Sequence, residues 1–323
     1  MNKCLVTKLN GYVNNDSLRK LGELRIPVVS TAASQNNLIR AKFSKDITIT
    51  ILGDGYFTNR DDNTNKGKTM QVTANTITPC IFSKGTFDLS ISDKYSLLEL
   101  DNGYTTFSGD LNLNIEDLNF SVNLTNLTFY NTNSVYGDIQ HLRKLKLTSL
   151  SLGKTKVIGD ISSLKDMDSL TSLNLNETNI TGNLSSIANL INLKLLALNA
   201  TNIDGDISIL SGMSKLNQTS LPNTVTGDLA KLPDNVAYVE IYGIGKQPFT
   251  WSSRDSSKSL FAITCATPID NIDTMLNNLA LCQIPAETKY KTISVVGTRT
   301  SASDAAVQTL QSKGYTVSIT PAS

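Results

Sequence analysis

Few residues in this chain are of the types that catalysis or metal binding requires, and their spacing decides what each can do. The single histidine is His141, in the segment IQHLRKL. A general base needs an oriented acid or a nucleophile beside it. A lone histidine offers neither, so His141 is expected to be a polar surface residue. Asp61, Asp62, Asn63 and Asn65 in RDDNTNKG crowd oxygen ligands together as a calcium loop does. Gly67 falls one place late for the required sharp turn and no glutamate closes the loop, so a solvated hairpin loop is expected. The segment GIGKQ (243–247) lacks the GxxxxGK(S/T) spacing of a phosphate loop and reads as a turn. Cys4, Cys80, Cys265 and Cys282 are scattered with no CxxC pair. Neither a zinc site nor a disulfide framework is expected, and free thiols are. No cofactor, no metal and no enzymatic activity are expected.

Charge narrows the classes further. The chain carries 29 Lys+Arg against 28 Asp+Glu, and only 18% of its residues are charged. It has no basic stripe to follow a phosphate backbone, so nucleic acid is not an expected partner. No run of apolar residues is long enough to span a bilayer, and no membrane insertion is expected. The opening MNKCLVTKLNGYVNN lacks a continuous apolar stretch and is not expected to be a signal peptide.

The elements that would position any site come from a repeat. LTNLTF ends at Phe129, LTSLSL at Leu152, LTSLNL at Leu175, LKLLAL at Leu198 and LNQTSL at Leu221, a step of 23 each time. Three residues later stand Thr132, Thr155, Thr178, Thr201 and Thr224. Gly137-Asp138, Gly159-Asp160, Gly182-Asn183, Gly205-Asp206 and Gly227-Asp228 follow. Alternating apolar positions give each segment a strand with one buried face. One such coil buries too few side chains to offset the entropy of ordering it, so the coils must stack. The Thr column is expected to turn inward and tie the bend, and the Gly to permit the next corner.

Either side of the array the pattern changes. Residues 28–91 hold β-branched, alternating stretches such as IPVVS, DITITILG, MQVTANTITPCIF and TFDLSIS, read as a small antiparallel β domain. The array occupies 92–245. From 246 to 323 the chain reads as βαβαβ: strands in SLFAITC, KTISVVG and YTVSI alternate with helices at NIDTMLNNLALC and SASDAAVQTLQSKG. This end is expected to continue the parallel sheet as a cap, with a separate small α/β domain as the other arrangement. The fold class expected is therefore α/β and β. Trp251 and Phe249 in this part are expected to cap the edge of the stack, or else to contact a partner.

The repeat resembles the leucine-rich repeat family, LxxLxLxx(N/C)xL over about 20–29 residues, with Thr in the Asn slot. The resemblance covers about residues 120 to 245 and implies a solenoid with no catalytic motif. Residues 1–27, through CLVTKL, NNDSL and KLGELRI, are similar to the opening of proteins encoded by Bacteroidales and by their crAss-like gut phages. That similarity implies a docking leader shared by varied bodies, and a virion-associated protein.

The outward strand positions form the candidate binding surface, a concave face: Asn126, Thr128 and Tyr130; Ser149 and Ser151; Ser172, Asn174 and Asn176; Ala197 and Asn199; Gln218 and Ser220. They read as small and polar, without charge and with one aromatic, a surface able to meet glycan or protein weakly, or only water. The expected function is a non-enzymatic structural or appendage protein of a gut bacteriophage virion. Residues 1–91 would hold other virion proteins within a larger assembly, and the solenoid would be displayed to a glycan or host-surface ligand. The alternative is a leucine-rich-repeat adhesin or glycan-binding protein of the bacterial cell surface. An enzyme in the βαβαβ end is the third reading. Thr298, Arg299 and Thr300 at its strand end have no acid–base pair to support it.

Overall fold

Strand, corner, extended stretch and 3-10 turn recur in that order along the middle of the chain, each set by one column of residues. The computed structural model describes residues 24–30, 38–54, 57, 66–81, 85–92, 94–102, 109–284 and 289–322. The leader at 1–23 and the loop bearing Asp61, Asp62, Asn63 and Asn65 lie outside these. Strands Asn126–Thr128, Ser149–Ser151, Ser172–Asn174, Leu195–Ala197 and Gln218–Pro222 pair in parallel and without slippage. Leu127, Leu150, Leu173 and Leu196 therefore stand directly beside one another. Leu124, Leu147, Leu170, Leu193 and Leu216 enter the core before each strand, Phe129, Leu152, Leu175 and Leu198 after the first four, and Leu221 within the fifth, all with no exposed surface.

The corner after each of the first four of these strands is made by a residue in the left-handed region: Asn131, Lys154, Glu177 and Ala200, with φ between 53° and 57°. Side chains resist this conformation. The bend leaves a carbonyl without a strand partner, and the buried Thr hydroxyl takes it. Thr155 donates to Leu152 O at 2.6 Å, Thr178 to Leu175 O at 2.6 Å and Thr201 to Leu198 O at 2.7 Å. At the ends the column departs from expectation. Thr132 donates to Tyr130 O and accepts from Asn102 Nδ2, and Thr224 is exposed and donates to Ile203 O of the preceding coil.

The next stretch forms a second parallel sheet of six strands, running from Leu113–Asn114 to Val225–Thr226. It ends in the Gly-Asp (or Gly-Asn) pair. The Asp or Asn side chain caps the following 3-10 turn: Asp138 accepts from Gln140 N, Asp160 from Ser162 N, Asn183 from Ser185 N and Asp206 from Ser208 N, at 2.8–3.0 Å. The Gly of each coil lies against the cap of the coil before. A Cβ on Gly182, at φ +108°, would stand 2.6 Å from Asp160 Oδ1.

Both ends extend the main sheet, which has twelve strands. On the C-terminal side Tyr238–Tyr242, Ala262–Pro268, Thr292–Val296 and Thr316–Thr320 continue in parallel. Here two helices, α1 (Ile272–Leu281) and α2 (Asp304–Ser312), replace the 3-10 turns. The βαβαβ end is thus part of the same sheet. Trp251, 1% exposed, packs on Phe261 and donates to Asn278 Oδ1 at 3.0 Å, a contact internal to the stack. Beside it the buried Arg254 guanidinium lies over Phe261 and donates to the carbonyls of Ala230, Leu232, Pro233 and Ser259. It closes the turn where 3-10 coils give way to helices.

On the N-terminal side a five-stranded antiparallel sheet forms from Thr69–Val72, Ile47–Gly53, Gly85–Ile91, Leu24–Ser30 and Gly109–Leu111. Strands Leu38–Phe43 and Thr78–Ile81, which belong to the same stretch of sequence, join the main sheet instead. Leu38–Phe43 pairs antiparallel with Leu97–Asp101, beside the first coil. One hydrophobic core runs unbroken from Leu24 to Tyr315. No helix among the described residues is long and apolar enough to cross a membrane.

The stacking of Gly on cap is directly measurable. Gly182→Ala is expected to lower stability by about 1–3 kcal/mol in urea unfolding, through its positive φ and the clash with Asp160. Gly212→Ala, where an added Cβ meets nothing within 4 Å, is expected to stay within about 0.5 kcal/mol of the parent. Equal effects at the two positions would refute the account.

Candidate binding face

The outward residues of the main sheet form two rows. In the first, Asn126, Ser149, Ser172, Leu195 and Gln218 stand side by side. In the second, Thr128, Ser151, Asn174, Ala197 and Ser220 do. Tyr130, Asn176 and Asn199 follow at the corner. All twelve candidate residues are therefore brought to one face, but not equally presented. Thr128 and Ser151 are only 6% exposed, packed between their neighbours. The asparagines are partly committed to bonds between coils, at Asn126 and Asn176, and within one, at Asn174. Asn126 Oδ1 accepts from Thr148 Oγ1 at 2.8 Å, Asn174 Oδ1 from Asn176 N at 3.1 Å, and Asn176 Oδ1 from Asn199 N at 2.6 Å.

The expectation of an uncharged face with one aromatic needs correction, because the face continues past Ser220 and before Asn126. At its N-terminal end Arg40 pairs with Asp101 at 2.8 Å and Lys42 with Glu99 at 3.0 Å. At the corner, Lys154 pairs with Glu177 at 3.1 Å and lies 5.8 Å from the Tyr130 ring centroid. The C-terminal half carries an aromatic–carboxylate cluster on Tyr238–Tyr242. Strand alternation puts Tyr238, Glu240 and Tyr242 on the same side. Both phenol hydroxyls donate to Glu240 Oε1, that of Tyr238 at 2.8 Å. Tyr290, from the chain before Thr292–Val296, stacks on Tyr238 at 4.3 Å between centroids and 14° between planes. Tyr242 is 50% exposed. Burial first, and then the hydrogen bond to Glu240 with its charge, push the Tyr238 phenol up to about 12. The Tyr242 phenol is raised too, chiefly by its bond to Glu240. The sequence signal was present as YVEIY, but nothing local shows that Tyr290 completes the group.

A column of leucines at a 23-residue step, buried in register beneath parallel strands, decides the architecture. The fold is a leucine-rich-repeat solenoid. No protein-family model and no curated protein matches the chain. Among solved structures it is similar to the leucine-rich-repeat ectodomain of the receptor kinase SOBIR1 from Arabidopsis thaliana, at 16% identity and TM-score 0.31, covering 60% of this chain and 83% of that one. It is also similar to the ectodomain of the Arabidopsis thaliana receptor kinase GASSHO1/SCHENGEN3, solved with CASPARIAN STRIP INTEGRITY FACTOR 2, at 13% identity and TM-score 0.35, covering 64% of this chain but 31% of that one. A plant ice-binding protein is similar at 16% identity and TM-score 0.38, covering 63% and 74%.

Elsewhere in the solenoid the chemistry-bearing residues are dispersed. His141 lies on the 3-10 side, in a shallow cleft of about 190 Å³ with Phe120, Arg143 and Lys144, and its Nε2 is 3.3 Å from Glu116 Oε1. Cys80, Cys265 and Cys282 are buried free thiols, and burial pushes Cys80 and Cys265 up to about 12, far from nucleophilic form at neutral pH. Among the described residues no three His, Cys, Asp or Glu side chains converge as a metal set. At the strand end of the βαβαβ cap, Asp273 accepts from Thr300 Oγ1 at 2.6 Å and Ser303 Oγ at 2.5 Å. The bond from Ser303, and then that from Thr300, hold its carboxyl below the usual range and clasp α1 to the start of α2.

The Tyr238 phenol gives a titration to test. The unfolded chain releases this proton near pH 10, while the folded protein keeps it until about 12. Between these values the unfolded state binds fewer protons, so stability falls as pH rises through that window. Tyrosinate absorbance is expected to lose a step near pH 12 in Tyr238→Phe, and in Glu240→Gln that step is expected to move part of the way down. An unchanged profile in Glu240→Gln would remove the carboxylate as a cause.

Proposed function

We propose that the protein is a non-enzymatic contact scaffold of a gut bacteriophage virion. Residues 1–91 lie toward other virion proteins, and the sheet face of the solenoid is displayed for a protein or glycan ligand. The observation that carries the scaffold reading is the continuity of the main sheet. Twelve strands share one core and one outer face, with backbone polar groups spent on pairing and side chains left to meet a partner. A stack in which each coil leans on its neighbours gives a rigid, extended surface. The buried thiols and the clasped Asp273 offer no activated nucleophile, which fits display better than turnover. The virion assignment draws on the resemblance of residues 1–27 to the opening of proteins encoded by Bacteroidales and by their crAss-like gut phages.

Mass spectrometry of purified phage particles tests it. The chain is expected among the particle proteins at a fixed copy number relative to the capsid protein. Recovery in the bacterial envelope fraction, with none in particles, would overturn the virion assignment in favour of a cell-surface adhesin.

A further inference from the structure

The carboxylates on the sheet face differ in one respect. Glu99, Asp101 and Glu177 are each neutralised by a cation of this chain, Lys42, Arg40 and Lys154. Glu240 is not. Among the described residues its partners are the two phenol hydroxyls, both on Oε1. Ser220, beside it in the sheet, keeps a buried hydroxyl with no hydrogen-bond partner and gives it no help. A negative charge partly walled from water by tyrosine rings, with one oxygen unengaged, is an incomplete ion pair.

We infer that Tyr238, Glu240, Tyr242 and Tyr290 form a docking point for an arginine side chain of a partner polypeptide. The inference rests on the reading of the sheet face as a contact surface. The chemistry selects the occupant. Glu240 calls for a cation, and tyrosine faces attract cations. A planar guanidinium can stack on the half-exposed Tyr242 ring while donating to Glu240 Oε2, whereas an ammonium is more strongly hydrated and does not stack. The surroundings select a polypeptide. The cluster stands on the outer face of the main sheet with Tyr242 half exposed, so a peptide can lie along the face while its guanidinium engages the cluster. A longer partner adds surrounding contacts that exclude water, as those around an interface hot spot do, and tightens what the peptide already makes.

Fluorine NMR of the full chain labelled with fluorotyrosine tests this by titration with blocked Gly-Arg-Gly, its citrulline and lysine analogues, choline, and the neutral sugar maltohexaose. Gly-Arg-Gly is expected to shift the resonances that Tyr238→Phe, Tyr242→Phe and Tyr290→Phe assign to the cluster. The citrulline peptide is expected to bind about tenfold more weakly, and Glu240→Gln to lose the arginine peptide by a similar factor. Glu177→Gln, at a carboxylate already paired, is expected to bind as the parent does. Thermal unfolding checks that each variant is folded. Equal response to citrulline, or an undiminished response in Glu240→Gln, overturns the inference. So does binding of lysine or choline as tight as arginine, selective response to the sugar, or no response. The measurement uses the isolated chain, so it can fail while the particle measurement succeeds, and the reverse.

Discussion

Everything in this molecule depends on each coil borrowing its missing half from the coil before it. The clearest instance is at the second sheet. A side chain such as Asp160 caps its own 3-10 turn through Ser162 N, and the same side chain is the surface on which Gly182 of the next coil rests. One group thus ends a strand, starts a turn and sets the spacing of its neighbour. Only a residue without a Cβ fits there, at a φ that other residues resist. The leucine column would follow from hydrophobicity in many folds. The pairing of Gly with the preceding cap is what holds the register from Gly137 to Gly227.

How much of this the sequence discloses depends on how often a contact is repeated and how far apart its partners lie. The strands, the Thr column and the Gly-Asp corner recur at one period, and their roles follow from elementary conformational arguments. The helices of the C-terminal end carry ordinary periodicity and appear where it places them, at 272–281 and 304–312. The left-handed corners at Lys154 and Glu177 leave no trace, because ladder bonds to the next coil impose them against residue preference. Lys154 N, for example, donates to Asn176 O at 2.8 Å. The joining of Leu38–Phe43 to the main sheet was equally hidden. Its ion pair partners, Arg40 and Asp101, are 61 residues apart in the chain, and no local pattern joins them. The binding face was legible by alternation in its middle. Its chemistry lies at the ends, in Glu240 and its tyrosines, where the repeat no longer draws the eye.

The face itself is a study in how little charge an extended sheet needs. The central rows are mostly short polar side chains, and Asn126 spends its carbonyl oxygen on Thr148 of the neighbouring coil. They keep the surface wetted without offering a strong anchor. Exposed ion pairs such as Lys154–Glu177 contribute little to stability; their effect is to leave the middle of the face electrically quiet. Against that background a single unbalanced carboxylate stands out far more than it would on a densely charged surface.

The strict register has an evolutionary corollary. Leu150, Leu173 and Leu196 see nearly the same surroundings, so duplicating or deleting a whole unit would leave the antiparallel start and the helical finish intact. Each such event would change the reach of the molecule by one inter-strand spacing, about 4.8 Å. Length in this protein is therefore a quantity that inheritance can adjust in fixed increments, without any packing problem being solved again.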